Sequence, residues 1–126
     1  MQQIGTNASN KVDAFLKHLA LADADLVMGR AHDPSTLDQL ERALGYALPD
    51  SYKAFLCSAG FAISRKVTLF GMTDHLSKHP SFLWAMQAAR LADPRFKKSY
   101  IPLSRTDGFL RCINAEDFSV MEYDLD

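Results

Sequence analysis

Residues 40–61 read LERALGYALPDSYKAFLCSAGF, and this stretch contains the start and stop signals of two short helices. Gly45 follows an apolar run with helical spacing, and glycine readily adopts the left-handed conformation that ends a helix. Pro49 disfavours helical geometry at Leu48 and has the fixed φ of a helix's first turn. We therefore predict that one helix ends at Gly45, that a second begins at Pro49, and that the two meet at an angle around a buried Leu48.

Further helices are predicted on both sides of this corner. Apolar residues recur at helical spacing over residues 11–21, where Asn10 is placed to cap the N-terminus. Pro34 suits the first position of the helix that ends at Gly45. The run SFLWAMQAARLA carries apolar residues around most of its circumference, which predicts a buried helical insertion around residues 74–92.

The period of the apolar residues changes after the corner from helical to alternating. KVTLFGM, at residues 66–72, is rich in β-branched and aromatic residues and predicts a strand. Three further β-like runs close the chain, SYIPLS, FLRCINA and FSVMEYDL, and Asp107-Gly108 is a hairpin turn signal between the first two. The predicted fold is α+β, with N-terminal short helices packed on a mainly antiparallel sheet and a helical insertion around residues 74–92. We expect a single domain over residues 1–126.

The composition is that of a globular protein with a real core. The chain has 126 residues, of which 48% are hydrophobic and 23% charged, close to the average for soluble domains. No apolar run approaches the roughly 18 residues that span a bilayer, and MQQIGTNASN lacks the features of a signal peptide. We therefore expect a cytoplasmic protein, in which Cys57 and Cys112 are reduced, partly buried thiols.

Charge is distributed unevenly along the chain. Residues 1–50 carry a net charge of -3, residues 51–106 a net charge of +7, and residues 107–126 a net charge of -5. Such asymmetry creates local fields that steer partners. The alternative is that the three blocks interleave in the fold and cancel.

The residue types that carry catalysis or hold metals are present, but not in patterns that assemble a site. His75 and His79 have the i,i+4 spacing of a metal pair, yet HLSKH lacks the Glu of the metalloprotease motif. Cys57 lies on an apolar helix face, which raises rather than lowers a thiol pKa. We predict no catalytic residue, no metal site and no cofactor, and therefore a protein that is not an enzyme.

The basic middle of the chain raises the question of nucleic-acid binding. Phe96 and Tyr100 flank Lys97-Lys98, a thin version of the aromatic and basic alternation of single-strand binders. The flanking segments are acidic and the whole chain is not basic. Nucleic acid is therefore disfavoured as a partner.

The pattern L-E-x-x-L-G-x-x-L-P-x-x-Y-K-x-F-L, from Leu40 to Leu56, resembles that of the SUKH superfamily. Its members include a fungal regulator of cell-wall synthesis and many bacterial immunity proteins. TLFGM and the closing run YIPLSRTDGFLRCINAEDFSVMEYDLD are similar to the strands of that family and occur in the same order. The resemblance implies a non-enzymatic binding module. Many bacterial members are encoded beside toxins and neutralise them by direct binding.

The acidic end of the chain is the candidate partner-binding surface. Nuclease inhibitors often imitate phosphate with carboxylates, and complementary charge accelerates association. On a strand Glu122 and Asp124 share one face, opposite Met121 and Tyr123. The predicted partner-binding residues are Asp107, Glu116, Asp117, Glu122 and Asp124.

An ordinary solvated sheet face is the alternative reading of these carboxylates. The leading functional hypothesis is an immunity protein that binds a toxin domain. The other is a regulatory or scaffold domain that binds a cellular protein unrelated to toxins. The sequence leaves open the partner's identity, the binding face, the oligomeric state and the role of residues 74–98.

Overall fold

A computed structural model describes residues 6–124, and the side chains of residues 10–124. The helices are α1 (Thr6–Ala22), α2 (Pro34–Leu44), α3 (Asp50–Ser58) and α4 (Phe82–Ala92). The strands are β1 (Val27–Met28), β2 (Ala62–Ile63), β3 (Thr68–Leu69), β4 (Tyr100–Thr106), β5 (Phe109–Asn114) and β6 (Val120–Asp124). They form one sheet in sequence order, and each strand pairs antiparallel with the next. The predicted α+β fold, with its helical insertion between strands, is confirmed.

The corner between α2 and α3 forms as its sequence predicts. Gly45 has a φ of 84° and donates its backbone N–H to the carbonyl oxygen of Glu41, which ends α2. Pro49 occupies the N-cap position of α3. Leu48, between the two helices, is only 2% exposed. The buried leucine joins α2, α3 and the core into one packed unit.

Two charged residues of the corner satisfy groups that the corner buries. The backbone N–H of Leu48 donates to Oε2 of Glu41 at 2.6 Å. The same oxygen lies 3.8 Å from Nζ of Lys53, whose side chain is only 5% exposed, and Asp50 approaches that ammonium to 3.6 Å. The Glu and Lys of the sequence pattern therefore stabilise the corner, because a buried N–H or ammonium without a partner is costly.

The two faces of the sheet have different neighbours. On one face, the segment after α4 places the Phe96 ring against the rings of Tyr100 and Tyr123, at 5.3 Å from each. Leu110 and Cys112 lie on this face and are buried. The opposite face, which carries the alternate residues of β5 and β6, is turned toward α1 and α3, and these two helices pack on each other.

Some predicted boundaries were wrong. α1 begins at Thr6, so Asn10 lies inside the helix and does not cap it. The strand predicted at residues 66–72 is reduced to β3. The helix predicted from SFLWAMQAARLA is α4, which begins at Phe82, where the Ser81 hydroxyl accepts the N–H of Leu83. None of the described helices combines the length and apolarity needed to cross a bilayer.

Candidate functional site

A concave, mainly apolar surface lies on the sheet face that α1 and α3 overlook. Its floor is formed by Leu69 of β3, Leu103 of β4 and Ile113 of β5, and it encloses about 570 Å³. A second hollow of about 420 Å³ shares Phe15 and Leu69 with the first and extends past Phe109. We call this surface the trough and define it by Phe15, Leu69, Leu103, Phe109 and Ile113.

Large apolar side chains along the trough are exposed to solvent. Phe15 of α1 is 49% exposed, and Phe109 of β5 is 48% exposed. Val120 pairs with Ile113 across β5 and β6, so it lies on the same face, and it is 61% exposed. Contiguous exposed apolar surface of this kind marks binding sites in soluble proteins.

One end of the trough is polar and charged. Arg111 and Glu122 face each other across β5 and β6, with Nη2 and Oε1 at 2.8 Å. Both side chains are 58% exposed. A solvent-exposed ion pair of this kind contributes at most about 1 kcal/mol to stability. A cationic group of a partner could therefore replace Arg111 beside Glu122 at small cost.

The structure separates the five predicted partner-binding carboxylates into two groups. Asp107 and Glu122 line the same end of the trough, and Asp124 pairs with Phe109 at that end. Glu116 and Asp117 lie in the turn between β5 and β6, at the other end of the hairpin. β5 has six residues, so its two ends are about 17 Å apart at roughly 3.4 Å per residue.

The prediction for the last strand is confirmed by exposure. Glu122 and Asp124 are exposed, whereas Met121 and Tyr123 on the other face are half-buried.

Asp117 is held by its own turn, because the N–H and the hydroxyl of Ser119 both donate to Oδ1. These hydrogen bonds lower the pKa of Asp117, which keeps a negative charge at the turn.

His75, His79 and the two cysteines lie in surroundings that favour neither metal binding nor nucleophilic attack. His75 and His79 are exposed, and among the side chains of residues 10–124 no three His, Cys, Asp or Glu groups lie close enough to hold a metal ion. Burial raises the pKa of the Cys57 thiol and raises that of Cys112 to about 12. Both cysteines are free thiols, as predicted.

The aromatic residues that flank Lys97-Lys98 belong to the core. Phe96 is 2% exposed, and Tyr100 packs edge-on against it. Neither ring offers an open face on which a base could stack. The basic segment therefore lacks the aromatic platform that its sequence suggested.

The trough is not predictable from any one segment of the sequence. Its residues come from α1, β3, β4 and β5, which are far apart in the chain, and each reads as an ordinary core position. The one local signal was Phe109, which directly follows the Asp107-Gly108 turn and has the alternation of an outward-facing strand residue.

The protein is an α+β domain with a concave sheet surface. Its helical corner packs on an antiparallel sheet whose strands follow sequence order, and one face of the sheet carries the open trough. A family model described as SMI1-KNR4 cell-wall (SUKH_5) matches residues 6–126, and the chain belongs to this family. The SUKH resemblance of residues 40–56 is thereby confirmed. A search of curated proteins found no match.

Proposed function

We propose that this chain is a non-enzymatic protein-binding domain whose partner is a bacterial toxin domain, which it neutralises by covering part of the toxin's surface. The observation that carries the proposal is the trough, because it combines a half-buried apolar floor and the exposed rings of Phe15 and Phe109 with carboxylates at one end. Membership of the family supports the binding role. The SUKH superfamily, which residues 40–56 resemble, includes immunity proteins that bind toxins directly.

A protein fits the trough better than a small molecule does. The two hollows run together past Phe15 and Leu69 as an open surface, whereas small-molecule sites bury most of their ligand in one enclosed cleft. Exposed aromatic side chains such as Phe15 and Phe109 are also the kind that anchor protein interfaces.

The charges at the trough favour a partner with a basic surface. Asp107, Glu122 and Asp124 place three carboxylates at one end, with Arg111 as the cation between the strands. A toxin that acts on nucleic acid carries a positive cleft, and complementary charge accelerates its capture. Glu116 and Asp117 lie in the turn at the far end of the hairpin. A partner bound at the trough would contact them only if it extended along the whole length of β5 and β6.

Co-expression with a toxin encoded by a neighbouring gene tests the proposal. We expect the chain to restore growth and to co-purify with the toxin domain. The variant Asp107→Asn/Glu122→Gln/Asp124→Asn should associate more slowly, with a stronger effect at low salt, because steering by exposed charges is screened. Failure to protect against every neighbouring toxin, together with no complex on co-purification, would contradict the proposal.

The second candidate is a regulatory or scaffold domain that binds a cellular protein. The description of the matching family refers to the cell wall, which favours this candidate. The genomic position of the gene discriminates the two, because a gene outside any toxin cassette supports the regulatory role. Both candidates use the trough and predict the same effects of substitutions in it.

A further inference from the structure

A second concavity lies away from the trough and shares no lining residue with it. This pocket has a volume of about 720 Å³ and is formed by the end of α2, the segment after α4 and the turn between β5 and β6. Four cationic side chains line it, against one carboxylate, Glu116. We call it the basic pocket, and its cations are Arg90, Arg95, Lys97 and Lys98. We propose that the basic pocket binds a phosphate group.

Two of the four cations are already engaged by neighbours. Arg95 donates to both carboxylate oxygens of Asp93, at 3.0 and 3.2 Å. The Lys97 ammonium lies 5.9 Å from the centre of the Tyr100 ring. Asp93 therefore largely balances the charge of Arg95, whereas Lys97 adds to the positive potential of the pocket.

The other two cations have no partner in the described part of the chain. Arg90, in the last turn of α4, and Lys98 make no ion pair or side-chain hydrogen bond there. Lys98 is held at its backbone, where its carbonyl oxygen accepts the hydroxyl of Tyr46 at 3.2 Å. An arginine fork and a lysine ammonium that line one concavity are the donors with which proteins bind phosphate oxygens.

Ser99 supplies a further donor in the wall of the pocket. Its hydroxyl is shielded from solvent and has no hydrogen-bond partner among the described residues, which is uncommon for a buried polar atom. Because Ser99 lines the pocket, a phosphate oxygen bound there could accept the proton of this hydroxyl. A ligand oxygen would thereby satisfy a group that the protein leaves unsatisfied.

The shape of the site favours a compact anion over a polynucleotide. A polynucleotide would need exposed aromatic faces for stacking, and Phe96 and Tyr100 are packed in the core instead. Gly45 rims the pocket, and a Cβ at this position would meet no atom within 4 Å. The entrance beside α2 is therefore open.

Titration of the whole protein with inorganic phosphate, followed by backbone amide NMR at constant ionic strength, tests the proposal. We expect saturable shifts confined to the amides around Gly45, Ser99 and Glu116. A phosphomonoester such as phosphoserine is titrated in parallel. Tighter binding of the monoester would identify the ligand as an esterified phosphate, and equal or weaker binding would identify it as the free ion.

Matched variants separate a site from general charge attraction. Arg90→Ala/Lys98→Ala should weaken phosphate binding about tenfold or more, because it removes both uncommitted charge-assisted donors. Lys17→Ala/Lys66→Ala removes the same charge from exposed positions outside the pocket and should leave the affinity unchanged. Equal weakening by the two pairs, or no saturable binding by the wild type, would overturn the proposal.

Ser99→Ala provides an independent readout. If the hydroxyl turns to the ligand, the variant should bind phosphate several-fold more weakly while its stability is unchanged or increased, since a buried hydroxyl without a partner has been removed. An affinity equal to that of the wild type would contradict the assigned role of Ser99.

Discussion

At the scale of single residues, the charged positions of the SUKH pattern stabilise the corner of the fold. Glu41 accepts the N–H of Leu48 and approaches the ammonium of Lys53, and both contacts lie within the corner. Lys53 is almost fully buried and is also approached by Asp50. A sequence pattern can therefore identify a family although its charged residues Glu41 and Lys53 do not line the trough.

Replacement of Glu41 by Gln should destabilise the protein by about 2–3 kcal/mol. Removal of one partner of a buried ion pair leaves an uncompensated charge, and the remaining contact of Lys53 with Asp50 moderates the loss. Urea unfolding measures the difference in the free energy of unfolding. Glu122→Gln, which breaks an exposed pair, is the control and should cost less than about 1 kcal/mol. Equal losses for the two variants would refute this role of Glu41.

Asp33, the N-cap of α2, makes stability depend on pH in the acid range. The hydroxyl of Ser35, followed by the N–H and hydroxyl of Thr36, lowers the pKa of Asp33 to about 2. A carboxyl group with a lowered pKa stabilises the fold above its unfolded pKa of about 3.9, and this contribution disappears as the pH falls through the folded value.

The stability difference between the wild type and Asp33→Asn should therefore be present above about pH 4 and vanish near pH 2. Asparagine can still cap the helix, so the comparison isolates the charge. Urea midpoints measured across this pH range check the prediction. A difference that stays constant with pH would show that the charge of Asp33 does not contribute.

At the scale of secondary-structure elements, the sequence predicts what is encoded locally. The corner was predictable because Gly45 and Pro49 act within one turn of chain, and the last three strands because they alternate over five or more residues. β1 and β2 have two residues each, which is too short for any alternation. They form because β2 pairs with the edge of β3 and β1 then pairs with β2. This pairing depends on tertiary context and not on local sequence.

Truncation of Leu48 to Ala should destabilise the protein by about 2–5 kcal/mol, because it leaves a cavity between α2 and α3. Leu91→Ala is the matched control, since Leu91 lies on α4 and is 88% exposed. Its cost should stay within about 0.5 kcal/mol. Thermal or urea unfolding distinguishes the two. Similar stability of both variants would mean that Leu48 does not join the helices.

At the scale of the whole molecule, the fold creates surfaces that no segment of sequence shows. The trough unites residues of α1, β3, β4 and β5, and the five acidic residues predicted as one surface divide between the two ends of a hairpin. The uneven distribution of charge along the chain indicated that local electric fields could steer a partner. Only the register of β5 and β6 determines which carboxylates border the apolar floor.

Affinity measurements on trough variants against the toxin domain of the neighbouring gene test the central claim most directly. Phe15→Glu/Phe109→Glu places charge on the trough at two half-exposed positions, and it should weaken binding about a hundredfold or more if these rings anchor the interface. Leu21→Glu/Leu91→Glu makes the same change at two exposed leucines outside the trough and should bind like the wild type. A folded Phe15→Glu/Phe109→Glu variant with wild-type affinity would contradict the claim that the trough is the binding surface.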